Sequence, residues 1–149
     1  MRLRAFAFKK NNMISPQQVV DQMMQDDLFS QWLGIEVLDI QEGYSKVRMN
    51  VRPEMINGLG IVHGGIAFSF ADSAFAFACN NRNNLSVALD TSINFLKPTH
   101  VGDILVAEAM EIHNGRSTGL YEILIKNQHD ILVAKFKGTC FRTGRKIIE

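Results

Sequence analysis

Of the 149 residues, 46% are hydrophobic, 9% aromatic and 21% charged, the balance of one globular domain with enough apolar material for a sizeable core. Sixteen Lys and Arg against fifteen Asp and Glu give a net charge of +1, which excludes the strongly basic surface of a nucleic-acid or membrane-surface protein. Cys79 and Cys140 lie 61 positions apart and the four histidines are scattered, so neither a metal centre nor a disulfide framework is expected.

Met1 to Asn12 carries Arg2, Arg4, Lys9 and Lys10 and no acid. It reads as a disordered or extension arm, residues 1–12, ahead of a single domain over 13–149. That domain alone holds twelve basic and fifteen acidic side chains, a net of −3. The run Ala5 to Phe8 is too short for a secretory h-region, so the expected compartment is the cytoplasm. Ser15-Pro16 is an N-cap and N1 pair, and Val19, Val20, Met23, Met24 and Leu28 fit an amphipathic helix ending near Leu28. Gly34 to Ile40 and Tyr44 to Val51 read as a hairpin about Glu42-Gly43, the second strand alternating polar and apolar residues. Pro53 to Gly64 is a glycine-punctuated loop, followed by an Ala- and Phe-rich helix that stops at Asn80-Asn81-Arg82-Asn83-Asn84. The period then changes to two: Ser86 to Leu96, Asp103 to Ile112, Thr118 to Lys126 and Ile131 to Arg142 read as strands, the last three antiparallel neighbours. The class is α+β, one apolar helix against an antiparallel sheet of five to six strands.

Eighteen residues separate His63 from Arg82, and Asp72 is the only charged one among them. A helix apolar nearly all round is buried, and an ionised carboxylate there costs several kcal/mol, of order, unless it is paired, hydrogen-bonded or beside a cavity. Its helical neighbours are Phe68, Ser69, Phe75 and Ala76, so two rings are expected to flank it with no cation in local reach. This marks Asp72 as a general base or nucleophile, or as a structural acid held by backbone or hydroxyl donors. At the helix start His63-Gly64-Gly65 puts two residues without side chains where N–H groups lack helical partners, an end that can hold an oxyanion or simply pack tightly. Asn57 stands six positions earlier, able to orient a water or the loop itself. Gly64 and Asp72 are about 12 Å apart along one helix and cannot touch one carbonyl. If they cooperate, the helix end of one subunit faces the acid of another in a two-fold dimer.

Asn57-Gly58, His63-Gly64-Gly65, Ala71-Asp72-Ser73-Ala74-Phe75-Ala76 and Ile93-Asn94-Phe95-Leu96-Lys97-Pro98 together resemble the hotdog-fold acyl-CoA thioesterases, closest to the phenylacetic acid degradation (PaaI-like) branch. The resemblance covers about residues 15 to 143. It implies a long central helix wrapped by a curved antiparallel sheet, a homodimer with active sites at the interface, and dimers paired into a homotetramer. It implies acyl-CoA hydrolysis with Asp72 as catalytic carboxylate, the Gly64 N–H on the thioester oxygen, and His63, Gly65 and Asn57 shaping that end. Phe68 and Phe75 would line the acyl pocket, and Thr91 or Asp90 would help place a water. Lys97, and Arg116 with Ser117, would meet coenzyme A, whose phosphates need local cations on an acidic domain.

No metal or organic cofactor is implied, coenzyme A being part of the substrate. Aryl- or hydroxyaryl-acetyl groups are the expected acyl part, with medium-chain fatty acyl groups the rival. Two further readings are an enoyl-thioester hydratase and a non-catalytic acyl-CoA binding module. The hydratase signature keeps Asp and His close together, whereas His63 precedes Asp72 by nine positions.

Overall fold

A computed structural model describes residues 13–149, so the arm expected over residues 1–12 lies outside the described residues. Helix α1, Pro16–Asp26, opens on the expected cap: Ser15 Oγ accepts the Gln18 N–H at 3.2 Å, and Gln18 Oε1 accepts the Ser15 N–H at 2.8 Å. It stops two residues before Leu28. Asp27 leaves helical geometry and its carboxylate accepts the Ser30 N–H at 2.9 Å, which starts a second helix, α2, Leu28–Leu33. Gly34, at φ +75°, closes α2.

The strands are β1 (Glu36–Gln41), β2 (Tyr44–Asn50), β3 (Ser86–Phe95), β4 (Ile104–Asn114), β5 (Thr118–Lys126) and β6 (Leu132–Arg142). A 3₁₀ turn, Pro53–Met55, lies in the loop before the central helix α3, Gly64–Asn80. All six strands join one antiparallel sheet in the order β1-β2-β4-β5-β6-β3. The last three strands are neighbours as expected, and β3 crosses over to pair outside β6.

The core fills the space between α3 and the sheet, where Phe70, Ala74, Phe77 and Ala78 meet Val47, Leu105, Ile123 and Phe136. Each fully buried Phe contributes about 1.5–3 kcal/mol of apolar burial. The asparagine cluster does more than end α3. Buried Asn81 accepts the Gly43 N–H at 3.1 Å and donates to the Gln41 and Tyr44 carbonyls, tying the β1–β2 hairpin to the helix. Asn80 grips the Ser86 backbone in the same way, which sets where β3 begins.

Candidate active site

At the start of α3, His63 is the N-cap, and its Nδ1 accepts the Gly65 N–H at 2.9 Å. That bond places the ring proton of a neutral imidazole on Nε2. The Ile66 N–H goes to the His63 carbonyl at 2.9 Å. Of the first three N–H groups, only that of Gly64 has no partner among the described residues. A Cβ on Gly64 would stand 3.1 Å from the Phe95 ring, and one on Gly65 would stand 3.1 Å from His63 Nδ1. The two glycines therefore have a packing reason as well as a donor to offer.

Gly64 opens on a cavity of about 400 Å³ walled by Asn57, Val62, Phe95, Lys97 and Ile125 among others. Asn57 Oδ1 accepts the Leu59 and Ile61 N–H groups, so its carbonyl end orders the loop while its NH2 makes no bond to the described chain. Its position on the cavity wall leaves that NH2 as a spare donor.

Asp72, at mid-helix, lines a different and smaller cavity of about 220 Å³ between α2 and α3, with Asp27, Phe29, Ser30, Phe68, Ser69 and Ser73. The side chain is half-buried and takes no hydrogen bond from any described residue. Burial, with the Asp27 charge adding to it, raises its carboxyl above the ordinary value. The neighbouring hydroxyls are spent elsewhere: Ser69 donates to the Gly65 carbonyl at 2.7 Å, and Ser73 pairs with Ser30 at 2.8 Å. The local donors that a purely structural acid would need go to other acceptors.

The sequence places a ring on each side of Asp72, and the structure corrects one of them. Phe68 lines the Asp72 cavity, its ring edge-on to Phe136 at 5.2 Å. Phe75 instead turns into the core, 1% exposed, against Tyr121 and the bare face of Gly138. Phe75 lines neither cavity.

The expected coenzyme A contacts also separate. Lys97 follows the end of β3 on the wall of the Gly64 cavity, whereas Arg116 and Ser117 are exposed in the β4–β5 turn. Sheet register puts Thr118, Phe141 and Val87 in one row, and Ile125, Ala134 and Phe95 in another. Seven residues of β5 and of β6, about 23 Å, lie between those rows, so Lys97 and Arg116 sit at opposite ends of one protomer. Thr91 is midway, half-buried and paired with Gly138. Gly64 and Asp72 are likewise kept apart in separate cavities of one chain.

Three features escaped the sequence reading: Phe95 over Gly64, Asp27 in the Asp72 cavity, and the Ser30–Ser73 bond. Only Asp27 carried a local signal, an acid three residues before Ser30 at N-cap spacing. Trp32 is half exposed; it stacks on Phe29 and lies under the Arg52 guanidinium.

The family model of the thioesterase superfamily matches residues 59–134, the stretch from the glycine loop through β5 into β6. Acyl-coenzyme A thioesterase PaaI of Escherichia coli is 42% identical over 125 residues, 84% of this chain and 89% of that protein. The chain belongs to the thioesterase superfamily. Its fold is the hotdog of that superfamily, and its chemistry is thioester hydrolysis. The structure of the E. coli PaaI protein from the phenylacetic acid degradation operon superposes with a TM-score of 0.87 at 40% identity, covering 88% of this chain and 95% of that one. A hypothetical thioesterase of Streptococcus pneumoniae, solved with coenzyme A, superposes with a TM-score of 0.73 at 29% identity, covering 75% and 88%. Among the described residues, no helix of this thioesterase is long and apolar enough to cross a membrane.

Proposed function

We propose that the protein hydrolyses an aryl- or hydroxyaryl-acetyl-CoA to the free acid and coenzyme A, at sites shared between two subunits of a homodimer. The observation that carries this reading is Asp72: a half-buried carboxylate in its own cavity that takes no hydrogen bond from the described residues, on a helix whose first N–H has no partner among them. Such an acid is a poor structural element and a good proton acceptor. The edge of β3 supports the dimer, since it carries exposed Val87, Leu89 and Phe95 beside unpaired backbone groups, a surface that asks for a second strand.

Across that edge the helix start of one subunit meets the Asp72 of its partner. The thioester oxygen accepts the Gly64 N–H while Asp72 attacks the carbonyl carbon or draws the proton from a water that does so. Charge gathering on the oxygen is held by a donor already in place, and the helix dipole adds to it. The C–S bond then breaks and the thiolate of coenzyme A leaves. With water as nucleophile, the proton taken by Asp72 goes to that sulfur; with Asp72 as nucleophile, water then hydrolyses the mixed anhydride, which releases the acid and restores the carboxylate. His63 fixes Gly65 and the helix end, and the Asn57 NH2 is free to hold a water or the substrate. Phe68 offers its ring to the acyl part. Lys97 from one subunit and Arg116 with Ser117 from the other serve the phosphates, an arrangement that accommodates their separation of about 23 Å in one protomer. No metal or organic cofactor enters these steps. Pairing of dimers into a tetramer and a cytoplasmic location complete the proposal.

The test is thiol release from arylacetyl-, benzoyl- and C4 to C16 acyl-CoAs by the wild type and Asp72→Asn. Hydrolysis best on an arylacetyl-CoA and lost in the folded variant is the expected result. A best rate on a medium-chain substrate would move the acyl assignment, and saturable binding without turnover would make the protein an acyl-CoA binding module.

A further inference from the structure

The cavity of Asp72 holds a second carboxylate. Asp27 caps α2, and its carboxylate accepts two bonds, the Ser30 N–H at 2.9 Å and the Ser30 hydroxyl at 2.6 Å. Because Ser30 has one hydroxyl proton and gives it to Asp27, the 2.8 Å bond between Ser30 and Ser73 has Ser73 as donor. A relay of hydroxyls thus runs from α3, beside Asp72, across to Asp27. Asp72 receives nothing from it. Two carboxylates of one small cavity are placed in opposite environments, one supplied with donors and one stripped of them.

We propose that Asp27 is a positioning residue of the Asp72 site, its fixed charge setting the pH at which Asp72 becomes an effective base. The proposal rests on Asp72 acting as described above. Apart from Asp27, the residues that share the cavity with Asp72 are Phe29, Ser30, Phe68, Ser69, Ser73 and Ala76, all uncharged. On α3 itself the nearest titratable group in its field is the Cys79 thiol, buried and held protonated far above its ordinary value by its contact with Cys140 and by burial. Asp27 is therefore the one ionic neighbour among the described residues, and its charge adds to burial, the larger cause, in raising the Asp72 carboxyl.

Asp27→Asn separates this role from simple capping. The amide keeps an oxygen on the Ser30 N–H, and asparagine is as good an N-cap as aspartate. Its NH2 can donate to Ser30 Oγ, whose proton then turns to Ser73. Only the charge is lost. The acid limb of the kcat/KM profile on the best acyl-CoA should move to lower pH by about half a unit or more, with a Tm that at neutral pH is kept or raised as the like-charge repulsion is relieved. A carbon-13 titration of the Asp72 carboxyl, without substrate, should move by the same amount. If both profiles superimpose on the wild type, the proposal is overturned and Asp27 is a cap alone. If the titration moves while no acyl-CoA is hydrolysed by the wild type, the coupling stands and the catalytic reading beneath it falls.

Discussion

His63 Nδ1 accepts the Gly65 N–H at 2.9 Å, and in doing so it leaves the Gly64 N–H as the unclaimed donor of the first turn. The cap and the donor are thus neighbours with separate duties. A histidine that capped the helix through the Gly64 N–H would have closed the site.

The Gly64 donor can be removed without disturbing the helix. Gly64 is the first helical position, where proline is favoured, and His63 at φ −61°, ψ 133° has the extended backbone that a following proline needs. Both Gly64→Pro and Gly64→Ala press on the Phe95 ring, but only the proline lacks the N–H. We expect kcat for Gly64→Pro to fall about 100-fold or more below that of Gly64→Ala. Equal rates for the two variants would remove Gly64 from the oxyanion role.

Asp72→Asn should lose about 10²–10⁴-fold in kcat and gain, or keep, stability. The folded carboxyl sits above its ordinary value, so the native state binds its proton more tightly than the unfolded chain does. The penalty for the charge is absent below about pH 3.9 and develops as pH rises through the folded value. Denaturant unfolding should therefore show the advantage of Asp72→Asn widening from about pH 4 upward and levelling off once the folded carboxyl is ionised. A large loss of Tm in the variant would return Asp72 to a structural role.

Sites built from two chains can be repaired by mixing. A dimer of one Asp72→Asn subunit and one Gly64→Pro subunit has one site with both lesions and one with neither. Refolding the two inactive proteins together, so that about half of the dimers are mixed, should restore about one quarter of wild-type activity. No recovery, with mixed dimers confirmed by mass, would place both groups in one chain's site.

Acid unfolding should trace to a different carboxylate. Burial alone would raise the Glu111 carboxyl, yet Arg82 at 2.5 Å and the Tyr121 hydroxyl at 2.7 Å bond to it, and with the Arg82 and Arg142 charges they hold it below its ordinary value. Its stabilisation is full above the unfolded value and drains as pH falls through the folded one. Glu111→Gln should cost about 1.5–3 kcal/mol at pH 7 and flatten the acid limb of the Tm profile without moving that of kcat.

Hydrophobic period made most of the fold readable. Thr118 to Lys126 alternates so regularly that β5 has those same bounds, and the uncharged run around Asp72 announced a buried helix. The break at Asp27 was hidden because Val19 to Leu28 keeps helical spacing past it; a carboxylate bonding its own third neighbour decides there, not the apolar pattern. Phe75 was misplaced for a related reason. The helical net puts it beside Asp72, but the missing side chain of Gly138, four strands of sequence later, makes the hollow that takes its ring. Phe95 reaching Gly64 and Asp27 reaching Asp72 are likewise meetings of residues 31 and 45 positions apart, which no local window contains.

The crossover of β3 has a consequence for how the protein comes into being. Among the described residues its only partner in the sheet is β6, the last strand, and the paired residues are 39 to 56 positions apart. While the polypeptide is still emerging from the ribosome, β3 has no strand to lie against, and its apolar edge has no register to offer another copy. In the proposed dimer, partnership between two molecules thus waits on the synthesis of β6 in each. On that proposal a chain that stops short of β6, although it carries Gly64 and Asp72, would be barred from poisoning the assemblies of its complete siblings.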